Sequence, residues 1–225
     1  MSLAAWLQEA WETGNPLAPI PPGTTREAAE DAAAALAEGL GAPVVGLRMA
    51  RGPGGAWVAA PLPETRLLRA GTPVSVAALR APRLSVGVMG VLAAPLGEGA
   101  PAFSALHPVL DVAATRFRDG PASAEECLAD LGGVGFVLVG KRAPGTALPE
   151  AAEARLGPTG ARPRPIHEQL GVLFAQAAAE ARRGGGLPAG ALLLVAGLGG
   201  EAAPKPGEKW SAAVAGVGRI SVGFG

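Results

Sequence analysis

Asp111 is the residue most at odds with its neighbours. It lies inside the apolar run Val109-Leu110-Asp111-Val112-Ala113, and a carboxylate buried there needs a counter-charge, hydrogen bonds or a metal ion. Arg116, in Thr115-Arg116-Phe117, is a candidate partner. Asp111 therefore reads either as half of a structural ion pair or as part of a functional site. Asp130 precedes Leu131-Gly132-Gly133 and reads as a turn former or as a site residue. Cys127 follows Glu125-Glu126 on a helical pattern; adjacent acids raise a thiol's pKa, so it reads as a structural thiol. His107, before Pro108, reads as a hydrogen-bonded structural residue. His167, after Pro165, reads as a residue at a helix start. A single cysteine and two histidines exclude an internal disulfide framework, a thiolate zinc site and a histidine-rich metal centre. No serine sits in a Gly-x-Ser-x-Gly elbow. Gly52–Gly55 and Gly197–Gly200 lack the lysine and following helix of a phosphate-binding loop.

The elements that must position these residues follow from periodicity and capping. Leu3, Trp6, Leu7 and Ala10 mark an amphipathic helix over Ser2–Thr13. Asn15–Gly23 is a proline-rich loop. Thr24 and Glu27 form a capping-box pattern opening a helix to about Leu40. Strands are expected at Pro43–Met49, Ala56–Ala60, Val74–Leu79, Leu84–Leu92, Val134–Val139, Leu192–Val195, Trp210–Ala215 and Gly218–Phe224. Leu106–Phe117 mixes a helical turn with a strand, and Ser123–Leu131 is helical. Pro165–Arg182 is a long helix, with Ile166, Leu170, Leu173, Phe174 and Ala177 on one face. Helices first, many short strands next, one long helix and a closing hairpin describe an α+β chain around a curled sheet. Residues 1–42 form a helical segment and 43–225 a β-roll, expected as one compact unit.

Composition narrows the function. The chain has 225 residues, 49% of them hydrophobic, enough for a real core and too many for disorder. Charge is balanced, 19 basic against 19 acidic residues, which gives no electrostatic footprint for nucleic acid or an anionic membrane. The start of the chain lacks a basic segment before an apolar one, as a secretory leader would need. No apolar stretch is long enough to span a bilayer. A cytoplasmic protein is the expectation. Arginine outnumbers lysine 16 to 3.

The order of segments resembles the 2-keto-4-pentenoate hydratase family, whose hydratases and 2-oxo acid decarboxylases lie in the fumarylacetoacetate hydrolase superfamily. The resemblance rests on Asn15-Pro-Leu-Ala-Pro, Pro43-Val-Val-Gly-Leu-Arg-Met, Ala81-Pro-Arg-Leu-Ser-Val-Gly-Val-Met and His107-Pro-Val-Leu-Asp-Val-Ala-Ala-Thr-Arg-Phe. It continues through Ala129-Asp130 with Gly135–Gly140, and Pro206-Gly207-Glu208 with Ala215–Phe224. It implies a mixed β-sheet roll, N-terminal helices, one long helix before the C-terminal hairpin, and a homo-oligomer.

It also implies a Mg²⁺ or Mn²⁺ ion held by three carboxylates and stabilising the enolate of a 2-oxo acid. Two of those carboxylate positions here are Ser85 and Gly87; the third is Asp111, the one candidate metal ligand. The family's strand lysine falls on Arg48, and its early-loop acid falls nearest Glu64. Ala196-Gly197 replaces a hydroxyl-glycine segment that contacts substrate. By resemblance, Arg48, Asp130 and Glu64 are the catalytic candidates, and Arg116, Ser85 and Gly197 the substrate-binding ones. No cofactor is expected to be retained, although Mg²⁺ or Mn²⁺ is what the family uses. The chain is then either a divergent hydratase or decarboxylase-type lyase on a small 2-oxo acid, or a non-catalytic paralogue paired with itself or with an active homologue.

Overall fold

The computed structural model describes residues 2–225. Helix α1 (Leu3–Thr13) opens where the Ser2 side chain accepts the Ala5 amide, and closes at Gly14 in the left-handed conformation. Helix α2 (Arg26–Gly39) is capped by Thr25, one residue later than the capping-box pattern places it, because the Thr25 hydroxyl takes the Ala28 amide. Its buried stripe is Ala29, Ala32, Ala33, Leu36 and Ala37.

Seven strands form one mixed sheet. These are β1 (Val44–Arg51), β2 (Trp57–Pro63), β3 (Leu67–Arg69), β4 (Arg83–Leu92), β5 (Phe103–Ala113), β6 (Val134–Val139), which follows a short helix α3 (Ala124–Ala129), and, three elements later, β9 (Leu192–Ala202). Their spatial order is β2-β1-β9-β4-β5-β6-β3. A second sheet, ordered β11-β10-β7-β8, contains β7 (Ala152–Pro158), β8 (Ile166–Glu168), β10 (Lys209–Val214) and β11 (Gly218–Gly223). Helix α4 (Leu170–Arg183) lies between β8 and β9 in the chain.

The seven-stranded sheet separates two cores. Because strand side chains alternate faces, Val86, Val88, Leu110 and Val112 pack with the second sheet and α4. Met89, Val109, Leu194 and Ala196 pack instead with Leu7, Ala29, Leu36 and Leu128 of the helices α1–α3. By the same alternation, Arg48, Ser85, Gly87 and Asp111 project towards those helices.

Four expectations need correction. Val74–Leu79 is not a strand: Val74 makes a single bridge to Phe224, and Val76–Ala78 is a turn of 3-10 helix. Helix α4 begins at Leu170, not Pro165, because Ile166–His167–Glu168 pairs with Ala152–Ala154. His167 is therefore an exposed strand residue. Leu106–Phe117 contains no helix; β5 runs unbroken to Ala113. The strands β3 and β7 lie where none is expected.

Surface charges clasp α2 to α4. Arg183 Nη2 stands 2.6 Å from Glu30 Oε1, Arg26 pairs with Glu30 at 2.8 Å, and Arg26 also pairs with Glu180. Hydrogen bonds from Arg183 pull the Glu30 carboxyl from an ordinary 4.5 down to about 2. A carboxyl with a depressed folded-state pKa stabilises the fold above its unfolded value, and that contribution disappears as pH falls towards the folded value. The wild type should therefore lose more thermal stability than Glu30→Gln between pH 5 and pH 2.5. Salt should narrow the gap, since a solvated clasp is screened; equal losses in both proteins would refute the clasp.

Candidate functional site

The centre of the helix-facing side is an ion pair. Arg48 Nε donates to Asp111 Oδ1 at 2.7 Å, and Nη2 donates to Oδ2 at 2.6 Å. Both side chains are 1% exposed. The remaining nitrogen, Nη1, donates to the Gly132 carbonyl at 2.8 Å. Burial opposes the Arg48 charge, and Asp111 more than restores it, so its pKa stands above the ordinary value. This geometry is the bidentate fork that suits arginine and carboxylate.

The pair is long-range within the sheet. Arg48 is on β1 and Asp111 on β5, with β9 and β4 between them. On a flat sheet three strand steps of about 4.8 Å separate such backbones by roughly 14 Å. The direct contact requires a curled sheet, and it crosses β9 and β4 on the face where Ala196 and Gly87 stand opposite each other. Small residues leave that crossing open.

Ser85 and Gly197 are brought together. The Gly197 amide donates to Ser85 Oγ at 3.0 Å, and the Gly197 carbonyl accepts Arg51 Nε at 3.2 Å. Gly197 has φ +83, and a Cβ there would lie 2.9 Å from the Arg51 side chain, so glycine is required on both counts. Asp130, also 1% exposed, is the partner of Arg116. It accepts Arg116 Nε at 2.6 Å, the Arg116 amide at 3.0 Å and Trp11 Nε1 at 3.0 Å. Burial lifts the Asp130 pKa against the pull of Arg116. The pairing of Asp111 with Arg116 is thus corrected: each aspartate has its own arginine. Glu64 is exposed on the turn after β2 and forms no ion pair among the described residues.

Beside the Arg48–Asp111 pair lies a cleft of about 340 Å³ whose lining includes the basic Arg51, Arg83 and Arg118, the acidic Asp119 and Glu201, and Thr115, Cys127 and Gly132. Gly132 joins the two features: its carbonyl binds Arg48 and its backbone lines the cleft. Arg83 is paired with Glu201 at 3.2 Å, and Arg51 lies over the Trp57 ring at 4.5 Å. Cys127 is no nucleophile here, because burial pushes its thiol up to about 11. His107 bonds the Gly140 carbonyl at 3.0 Å and lies away from the cleft lining. A residue not singled out from sequence, Glu126, is buried and holds the Ile20 and Ala122 amides at 3.1 and 2.5 Å. That bond pattern ties the loop before α2 to α3.

The donor set does not fit Mg²⁺ or Mn²⁺. Hard cations take several unengaged oxygen ligands. Both Asp111 oxygens are occupied by Arg48, whose positive charge fills the position beside them. Ser85 offers one hydroxyl already bonded to Gly197, and Gly87 offers nothing. A Cβ at Gly87 would stand 2.7 Å from the Val195 carbonyl oxygen and 2.7 Å from Val109 Cγ2. Among the described residues no three His, Cys, Asp or Glu side chains converge.

No protein-family model and no curated protein matches the chain. Solved structures do. It is similar to 4-oxalocrotonate decarboxylase from Pseudomonas putida G7, complexed with magnesium and adipate, at TM-score 0.80 and 18% identity over 99% of this chain and 95% of that one. The 2-hydroxyhepta-2,4-diene-1,7-dioate isomerase of Mycobacterium marinum matches at TM-score 0.60 and 17% identity, covering 81% and 76%. Fumarylpyruvate hydrolase from Pseudomonas aeruginosa, in complex with Mn²⁺ and pyruvate, matches at TM-score 0.54 and 16% identity, covering 79% and 88%. A decarboxylase, an isomerase and a hydrolase on one scaffold leave the reaction open. Among the described residues no helix is long and apolar enough to cross a membrane. The chain thus shares the fold of these decarboxylase, isomerase and hydrolase structures.

Proposed function

We propose that this protein binds a small organic acid in the cleft beside Arg48 and Asp111 and does not run metal-enolate chemistry there. The bidentate, fully buried Arg48–Asp111 pair carries this reading, because it places a fixed guanidinium against the carboxylate that the resemblance assigns to the cation. The ligand class is supported by the cleft's arginines, Arg51, Arg83 and Arg118, which suit a carboxylate. It is supported also by the neighbours' ligands, adipate in one and pyruvate in another. In this reading the chain is a hydratase- or decarboxylase-like protein kept for binding, beside copies of itself or an active homologue.

The test is a calorimetric titration of metal-stripped protein with MnCl₂, alone and with pyruvate or oxalate. The expected result is no stoichiometric Mn²⁺ binding up to about 1 mM, a concentration at which even a weak specific site would fill. Pyruvate or adipate should bind without metal, about tenfold more weakly in Arg83→Met. One Mn²⁺ per chain, strengthened by oxalate, would overturn the proposal and return the protein to the metal-dependent enzymes.

A further inference from the structure

A second cavity, larger than the cleft, lies on the other side of the segment Ala114–Thr115. It holds about 580 Å³ and is lined by Trp11, Arg66, Arg80 and Arg116 together with small apolar residues. No acidic side chain lines it. Ala81, which borders both cavities, has φ +44, an uncommon conformation for alanine.

Its arginines are not equivalent. Arg116 is fully engaged: Nε on Asp130, Nη1 and Nη2 on the Val134 carbonyl at 3.2 and 3.1 Å. Its guanidinium carbon lies 3.8 Å from the Trp11 ring centroid. Trp11 is itself anchored through Nε1 to Asp130. Arg66 lies against the same indole at 4.2 Å and near Phe136 at 5.6 Å. Two cations thus lie against the Trp11 ring, while the nearby carboxylate, Asp130, is engaged by Arg116 and Trp11 alone. Arg66 Nε is the one buried side-chain nitrogen or oxygen among the described residues that lacks a hydrogen-bond partner. Burial, then the nearby Arg116 charge, pulls its pKa down to about 10. Neither Arg66 nor Arg80 forms an ion pair among the described residues.

A buried donor without an acceptor costs free energy, and uncompensated like charges add to that cost. An oxyanion in the cavity relieves both at once. We infer that this cavity is an anion site, separate from the cleft, in which Arg66 and Arg80 take the carboxylate or phosphate group of a small molecule whose body rests among Ala77, Ala78 and Ala114. A planar guanidinium accepts either oxyanion through paired N–H donors. Trp11 holds Arg66 in place and reports on its surroundings.

The experiment follows tryptophan fluorescence and melting temperature while the intact protein is titrated with sodium phosphate or sodium succinate at constant ionic strength. Wild type should show saturable binding of at least one of them, with Kd below about 1 mM and a concentration-dependent rise in melting temperature. Arg66→Met and Arg80→Met should weaken that binding at least about tenfold. Arg66→Met should melt no lower than wild type without anion, since it removes an unpaired cation and keeps an apolar stem. Arg83→Met, which alters the cleft and weakens carboxylate binding there, should leave the phosphate response of this cavity as in wild type. The inference is overturned if neither anion gives a saturable response, if the Arg66 and Arg80 variants bind unchanged, or if Arg83→Met abolishes binding. The last outcome would place the anion in the cleft instead. Because Arg66 and Arg80 line this cavity and Arg83 lines the cleft, loss confined to the first two variants and loss confined to the third report separate sites, and the two proposals fail separately.

Discussion

Asp111→Ala should lose about 3–5 kcal/mol of folding free energy, a large part of the stability of an ordinary domain. The reason is what remains. Arg48 keeps its positive charge, 1% exposed, with the Gly132 carbonyl as its only acceptor. Arg48→Met should cost a comparable amount at neutral pH, because it orphans the carboxylate. The two differ on acidification: an orphaned carboxyl can take up a proton, whereas an orphaned guanidinium cannot shed one. Arg48→Met should therefore recover relative to wild type as pH falls, and Asp111→Ala should not. The double variant Arg48→Met/Asp111→Leu should fold about as well as wild type, or up to a few kcal/mol better, since apolar pairs of similar volume often replace buried ion pairs without loss. Urea unfolding of the four proteins across pH tests these three expectations. A loss below about 0.5 kcal/mol in Asp111→Ala would show that the pair is solvated.

Gly46→Ala should be at least as damaging. Gly46 faces Leu192 in the parallel pairing of β1 with β9. A Cβ there would lie 1.9 Å from the Leu192 carbonyl oxygen and within 2.8 Å of its carbon and nitrogen. No rotamer relieves a clash with backbone, so the strands must separate where β1 enters the sheet. That step displaces Arg48, two residues on, and so strains the ion pair as well. Overpacking inside a core costs about 1–3 kcal/mol when side chains can yield; here they cannot, and a loss above about 3 kcal/mol or insoluble protein is expected. A soluble variant with unchanged urea midpoint would mean that the β1–β9 register is wrong. Gly54→Ala is a useful contrast, since it meets no atom within 4 Å and carries only the strain of φ +66.

The outline of the fold was legible because its signals are local. Helical periodicity marked α1, a capping-box pattern marked α2, alternation marked β11, and the ordered segments around Val45-Gly46 and Pro82-Arg83 carried the resemblance. The errors share one cause. Ile166–Glu168 looks helical beside Pro165, and only pairing with Ala152–Ala154 makes it a strand. The segment Ala152–Pro158, rich in charge and small residues, gives no strand signal until β10 covers it.

The site was half legible for the same reason. Asp111 announced that it needed a partner, and Arg116 was the nearest arginine in the chain. The true partner is 63 positions away, on a strand that reaches β5 only through β9, which the chain makes later. Arg48 and Ser85 were singled out through resemblance, not through any pattern of their own. Nothing in sequence spacing joins Trp11 to Arg66 and Arg116; three elements converge there.

The lack of room at Gly87 has an evolutionary consequence. By the resemblance, a cation-holding version of this centre would differ from the present one at Arg48, Ser85 and Gly87 together. Glutamate at position 87 meets backbone at 2.7 Å before any metal can reward it. An uncharged residue at position 48 orphans Asp111. The step at Gly87 loses stability before it can gain chemistry, so single substitutions do not easily reverse this arrangement.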